Sequence, residues 1–106
     1  MRKIVKAKIR WMPEDEGGRK VITPVEIRYN PLIKFLGIKP RPHDDPIVSW
    51  SADIYNLEIF DDRTSIASLS YLVDQAPFEF LEIGNSFKLY EGSRLVAYGA
   101  IISEQI

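Results

Sequence analysis

Between Val5 and Trp11 the chain alternates without a fault. Val5, Ala7, Ile9 and Trp11 are apolar, and Lys6, Lys8 and Arg10 between them are charged. A period of two places these sets on opposite faces of a strand, one buried and one wet. Met12 to Arg19 breaks the period with a proline, three acids and two glycines, a composition that reverses the chain. Beyond Thr23-Pro24 and Tyr29-Asn30-Pro31, Leu32 to Leu36 reads as a short strand whose opening proline breaks no ladder. Gly37 to Pro46 carries three prolines, a glycine and the sole histidine, and reads as a semi-rigid loop.

Two more alternations follow. Val48, Trp50, Ala52 and Ile54 oppose Ser49, Ser51 and Asp53, and later Ala67, Leu69, Tyr71 and Val73 oppose Ser68 and Ser70. Asp61-Asp62-Arg63-Thr64 parts them with turn chemistry, and Asn56 to Phe60 is expected as a further short strand. Pro77 closes the second run, and Gly84-Asn85 marks a turn before Phe87 to Tyr90. From Arg94 to Ile102, Val96, Tyr98, Ala100 and Ile102 alternate with smaller residues, and Gly99 among them suggests a strand curved around a barrel. No stretch holds helical spacing. Many short strands with frequent turns predict an all-β barrel or sandwich, and closure would remove exposed strand edges.

Composition narrows the function. With 106 residues, 45% of them hydrophobic, the chain has material for one compact domain, residues 1–106. A net charge of -1 supplies no general attraction to phosphate or anionic lipid, so any nucleic-acid contact needs a local patch. The absence of cysteine removes disulfides, thiolate metal sites and cysteine nucleophiles. No segment approaches the length of a membrane span, and a soluble cytoplasmic protein is expected.

Candidate chemistry is sparse. His43 beside Asp44 and Asp45 lies in one loop, whereas a metal site needs ligands converging from fixed elements. Glu14, Asp15 and Glu16 lack the regular spacing of a calcium loop and read, like Asp61 and Asp62, as charged turns. Thr64, Ser65, Ser68 and Ser70 have no Gly-x-Ser-x-Gly elbow beside them and read as the outer face of a strand. Trp11 and Trp50 read as core, and Lys6, Lys8 and Arg10 as a basic stripe on a wet strand face. No cofactor, metal or catalytic residue is expected.

Two glycine-arginine corners stand out: Glu16-Gly17-Gly18-Arg19 after the first strand, and Glu91-Gly92-Ser93-Arg94 before the last. With Thr23-Pro24, Tyr29-Asn30-Pro31, Gly84, Phe87, Ala97 and Gly99, they resemble in order and spacing the C-terminal barrel of elongation factor Tu and related translational GTPases. The resemblance spans most of the chain but not its middle, where Phe60 to Thr64 replaces a Met-Pro-Gly-Asp turn and Leu36 to Val48 looks like an insertion. At positions matching the family's tRNA-facing surface stand Asn30, Leu32 and Ser93, which weakens a carry-over of tRNA binding.

The resemblance implies a six- or seven-stranded antiparallel Greek-key barrel. It carries no GTP chemistry, since no Gly-Lys pair of a phosphate loop exists. The function it implies is a non-catalytic binding module, contacting another protein as an accessory or immunity-type mimic of the elongation-factor barrel. Glu16, Arg19, Lys20, Thr23, Glu91 and Arg94 are the candidate partner-binding residues. The alternative is an RNA- or tRNA-binding accessory of translation using Lys6, Lys8, Arg10, Arg19, Lys20 and Arg94. For Arg19 and Arg94 the competing role is a clamp holding each corner, through backbone carbonyls or Glu16 and Glu91.

Overall fold

The computed structural model describes residues 3–18, 21–36, 50–73, 76 and 78–104. Its strands are β1 (Val5–Trp11), β2 (Arg28–Tyr29), β3 (Leu32–Phe35), β4 (Trp50–Ile59), β5 (Thr64–Tyr71), β6 (Ser86–Glu91) and β7 (Arg94–Glu104). Single 3-10 turns lie at Glu14–Glu16 and Phe78–Phe80. All pairings are antiparallel, and β1, β5, β4, β3, β6 and β7 close into a six-stranded ring, with β2 as an extra strand on β4. Strands β3, β4 and β5 are successive neighbours while β1 lies beside β5, which is Greek-key order.

β2 and β3 face β4 in a single register, Arg28 opposite Tyr55 and Leu32 opposite Ser51. They are two halves of one stave, parted at Asn30-Pro31 where proline has no N–H to give the ladder. Bonds on both sides of the gap hold it to β4: the Ala52 N–H donates to the Pro31 carbonyl at 2.8 Å, and the Asn30 amide donates to the Ala52 carbonyl at 3.0 Å.

The first alternation is realised as read: Val5, Ala7, Ile9 and Trp11 are buried, Lys8 and Arg10 exposed. They pack with Ile33, Ile54, Leu69, Leu89 and Ile101, each fully buried aliphatic contributing about 1.5–3 kcal/mol. One end of the barrel is plugged by Phe35, Tyr71, Phe78, Phe80 and Phe87, whose rings meet at centroid separations of 5.8 to 6.4 Å. At the other end Trp11 meets Tyr29 at 5.7 Å.

Several expectations are corrected. Asn56 to Ile59 is no separate strand but the end of β4, and Leu57 is an extra residue that bulges it. In β7, Val96 and Ile102 are likewise extra residues, so the expected apolar set splits: Ala97 and Ile101 turn inward, while Tyr98 and Ile102 are exposed. Val73 lies beyond the end of β5 and is exposed. Trp50 is half-buried against the core. Thr64, Ser65 and Ser70 are buried rather than outward, because Ser65 pairs with Ile9 on the inner face and the turn covers Thr64. His43, Asp44, Asp45 and most of the Leu36 to Val48 segment lie outside the described residues.

Candidate functional site

Antiparallel closure brings four segments from three connections to one end of the ring. These are the first corner after β1, the segment 21–27 before β2, the β4–β5 turn, and the β6–β7 turn. They form a rim.

The first corner is built by its glycines. Gly17, at φ 91°, ends the 3-10 turn in the left-handed region and returns its N–H to the Glu14 carbonyl. Gly18 donates to the Pro13 carbonyl at 2.9 Å, and a Cβ there would sit 1.8 Å from the Met12 carbonyl oxygen. The second corner is a two-residue turn with Gly92 at φ 63°, the geometry of a type II′ hairpin. Across it Arg94 donates to Glu91 at 2.7 Å, and the Tyr29 hydroxyl donates to the other oxygen of the same carboxylate. Exposed pairs of this kind contribute about 0–1 kcal/mol, so this one orients the corner more than it stabilises it. A Cβ on Gly17 would lie 4.0 Å from the Arg94 Cγ, so the corners are neighbours.

The β4–β5 turn supplies a clamp that sequence reading missed. Arg63 is left-handed at φ 65°, and its guanidinium donates to the Met12 carbonyl at 2.8 Å and to that of Trp11 at 3.4 Å. Its own carbonyl accepts from the Trp11 N–H at 2.9 Å. Nothing in Asp-Asp-Arg-Thr announces that its arginine reaches over to the end of the neighbouring β1.

In the same turn Asp62 accepts from the Thr64 hydroxyl and, at 3.2 Å, from the Thr64 N–H. These bonds, the hydroxyl's first, with a smaller contribution from Lys8, hold its carboxyl below the usual carboxylate range. Its stabilising contribution is therefore complete above the unfolded value near about 3.9 and is lost as pH falls through the lower folded value. Asp62→Asn keeps an acceptor for Thr64 but cannot titrate. Its urea midpoint should fall less steeply than the wild-type midpoint below about pH 4; parallel acid limbs would contradict this.

Beneath the rim runs a buried relay. Trp11 Nε1 donates to Ser65 Oγ at 2.9 Å, Ser65 Oγ donates to Asn56 Oδ1 at 2.7 Å, and Asn56 Nδ2 donates to the Thr23 carbonyl at 2.8 Å. The Asn56 carbonyl accepts from the Glu26 N–H at 2.9 Å. The relay thus ties β1, β5 and β4 to the segment 21–27, and these groups tolerate burial because each is bonded. Beside it Arg28 forks onto Asp53 at 2.9 and 3.2 Å, which raises the arginine's pKa and explains why Asp53, expected on the wet face, is buried.

The rim presents apolar side chains among the exposed acids Glu14, Asp15, Glu16, Glu26, Glu58, Asp61 and Asp62. Val21 and Ile27 are 65% and 54% exposed, and Val25, Leu57, Ile59 and Phe60 are exposed as well. Val25 and Ile27 flank the Glu26 to Asn56 bond, beside Leu57 of the β4 bulge.

Of the sequence-predicted partner residues, Glu16, Glu91 and Arg94 stand on the rim, Glu16 exposed and the other two paired. Thr23 is at the rim but buried, its carbonyl committed to Asn56, so it presents nothing to a partner. Arg19 and Lys20 lie outside the described residues. Lys6, Lys8 and Arg10 are not on the rim; they line the outside of β1, apart from Arg94. Among the described residues no group of His, Asp and Glu is placed to hold a metal, and no helix is long and apolar enough to cross a membrane.

The fold and rim define a closed six-stranded antiparallel barrel with an ordered, partly apolar end. No family model matches the chain, and no curated protein matches it in sequence.

Proposed function

We propose that this chain is a barrel of the elongation factor Tu C-terminal type, a non-catalytic cytoplasmic module that binds another protein through its rim. The observation that carries the reading is the set of exposed Val21, Val25, Ile27, Leu57, Ile59 and Phe60. Large apolar side chains left exposed at one end of a small domain mark an interaction site, here with Glu26 and Glu58 set among them. The buried relay and the Arg63 clamp order these side chains in advance, which lowers the entropy lost on binding. Around them Glu16, Glu91 and Arg94 supply a polar border, the arrangement of a protein interface. Such a barrel would serve as an accessory or immunity-type mimic, occupying the surface that a toxin or regulator would use on a translation factor.

The test is capture from the native cell after chemical cross-linking, comparing wild type with the triple variant Val25→Asp, Ile27→Asp, Phe60→Asp. Wild type should retain one protein near stoichiometry, and the variant should lose it at least about tenfold, as burying three charges at a desolvated contact implies. The variant's urea midpoint should stay close to wild type, since these side chains are exposed. Equal retention by both chains, or no near-stoichiometric protein, would overturn the reading.

A further inference from the structure

We propose that the outer wall formed by β3, β6, β7 and β1 binds single-stranded nucleic acid. The strand registers carry the inference. Lys34 of β3 faces Lys88 of β6, Lys88 faces Tyr98 of β7, and Tyr98 faces Arg10 of β1, so four consecutive strands present one continuous outward row. Lys8 and Lys6 extend the row down β1, with only Ala100 and Ile66, then Ser103 and Ser68, opposite them. Tyr90 lies two residues beyond Lys88 and is the diagonal neighbour of Tyr98, about 7–8 Å away.

Three features separate this wall from an ordinary wet face. The chain's net charge is -1, yet the interior of the wall holds Lys6, Lys8, Arg10, Lys34 and Lys88 and no carboxylate; Glu91 and Glu104 stand only at its two ends, each beside its own cation. None of the five is in an ion pair among the described residues. Lys34 directly opposite Lys88 is a like-charge pair across strands, which costs stability and has no structural return. Interleaved with the cations are Tyr98, exposed, and Tyr90, half-buried. Cations that hold phosphates beside aromatic faces that stack bases are the chemistry of single-strand recognition. The wall offers no helix or ribbon to enter a duplex groove. Of the positions that the elongation-factor resemblance places on a tRNA-facing surface, Asn30 is occupied by Ala52 and Asp53 and Ser93 sits in the rim turn, while Leu32 alone lies on the wall, opposite Tyr90.

The experiment is fluorescence anisotropy with short labelled oligouridine, oligodeoxythymidine and a duplex, between about 50 and 200 mM salt. Single strands should bind more tightly than the duplex, with log affinity falling by about 0.7 per phosphate contacted for each unit of log salt. Tyr98→Ala should weaken binding at least about fivefold and leave the salt slope unchanged, as loss of one stacked base requires. Lys88→Glu should lower both affinity and slope while its urea midpoint equals or exceeds wild type, because the new carboxylate faces Lys34. An undiminished midpoint separates lost binding from lost folding. Absence of binding at low salt, preference for the duplex, or a Tyr98→Ala variant that binds like wild type would overturn the proposal. So would competition by polyglutamate as strong as that by unlabelled oligouridine. Preference between the RNA and DNA strands identifies which of them the wall takes. The proposal concerns a different face from the rim and stands or falls separately.

Discussion

Gly99→Ala should destabilise the barrel by about 3 kcal/mol, near the upper end for an added methyl in a packed interior. Gly99 lies between Ile9 of β1 and Phe87 of β6. A Cβ there would stand 2.5 Å from the Lys8 carbonyl oxygen, 2.9 Å from Phe87 Cζ and 3.2 Å from Ile9 Cα. Two of those three atoms are backbone, so relief means spreading the β1–β7 ladder that closes the ring. Glycine in a strand gives up roughly 0.5–1 kcal/mol relative to alanine, which favours the substitution but is too small to offset the overlap. The expected thermal shift is a fall of about 15 °C, taking roughly 4–8 °C per kcal/mol for a domain of this size. Phe87→Leu in the same background should recover less than half of the loss, since it relieves the ring contact alone. Full recovery would show the ring, not the backbone, to be the obstacle.

Asn56→Ala should cost about 3–4 kcal/mol, the sum of two buried polar groups stranded at roughly 1–3 kcal/mol each and a small cavity. Asn56 is 1% exposed and sits at the centre of the relay, accepting from Ser65 and donating to the Thr23 carbonyl. Without it the Thr23 carbonyl loses the Asn56 donor, and the Ser65 hydroxyl, still accepting from Trp11, loses its acceptor on Asn56. Ser65→Ala also strands two groups, the Trp11 indole N–H and the Asn56 Oδ1, and should cost less only by the smaller cavity it leaves. Amide exchange at Glu26, whose N–H donates to the Asn56 carbonyl, should accelerate in Asn56→Ala before the global unfolding limit is reached. If that amide remains as protected as its β4 neighbours, the relay does not govern the segment 21–27.

The relay also explains why the sequence reveals some of this molecule and conceals the rest. β1 is legible because one of its faces is wholly apolar and the other wholly charged. The corners are legible because backbone at φ 91° and 63° favours glycine, and glycine is visible in the sequence. Bulges are hidden, since an extra residue such as Val96 looks like any other apolar residue while exchanging the two faces beyond it. Thus Tyr98 reads as core and is exposed. Buried polar residues mislead in the opposite sense: Ser65, Asn56 and Asp53 have the composition of wet positions, and only a distant partner admits them to the interior. Arg63 and Lys88 derive their meaning from strands far along the chain, and a single sequence read locally does not pair them.

The closed ring limits how any partner can approach. In six of the strands the backbone is committed to neighbours on both sides, and among the described residues only the two-residue β2 leaves an edge. Among the described residues a visiting peptide therefore finds no ladder longer than the two residues of β2 to extend, which disfavours recognition by strand addition. Whatever docks here must read side chains. Its specificity will reside in shape and charge, and masking its own backbone N–H groups by methylation would leave it able to bind.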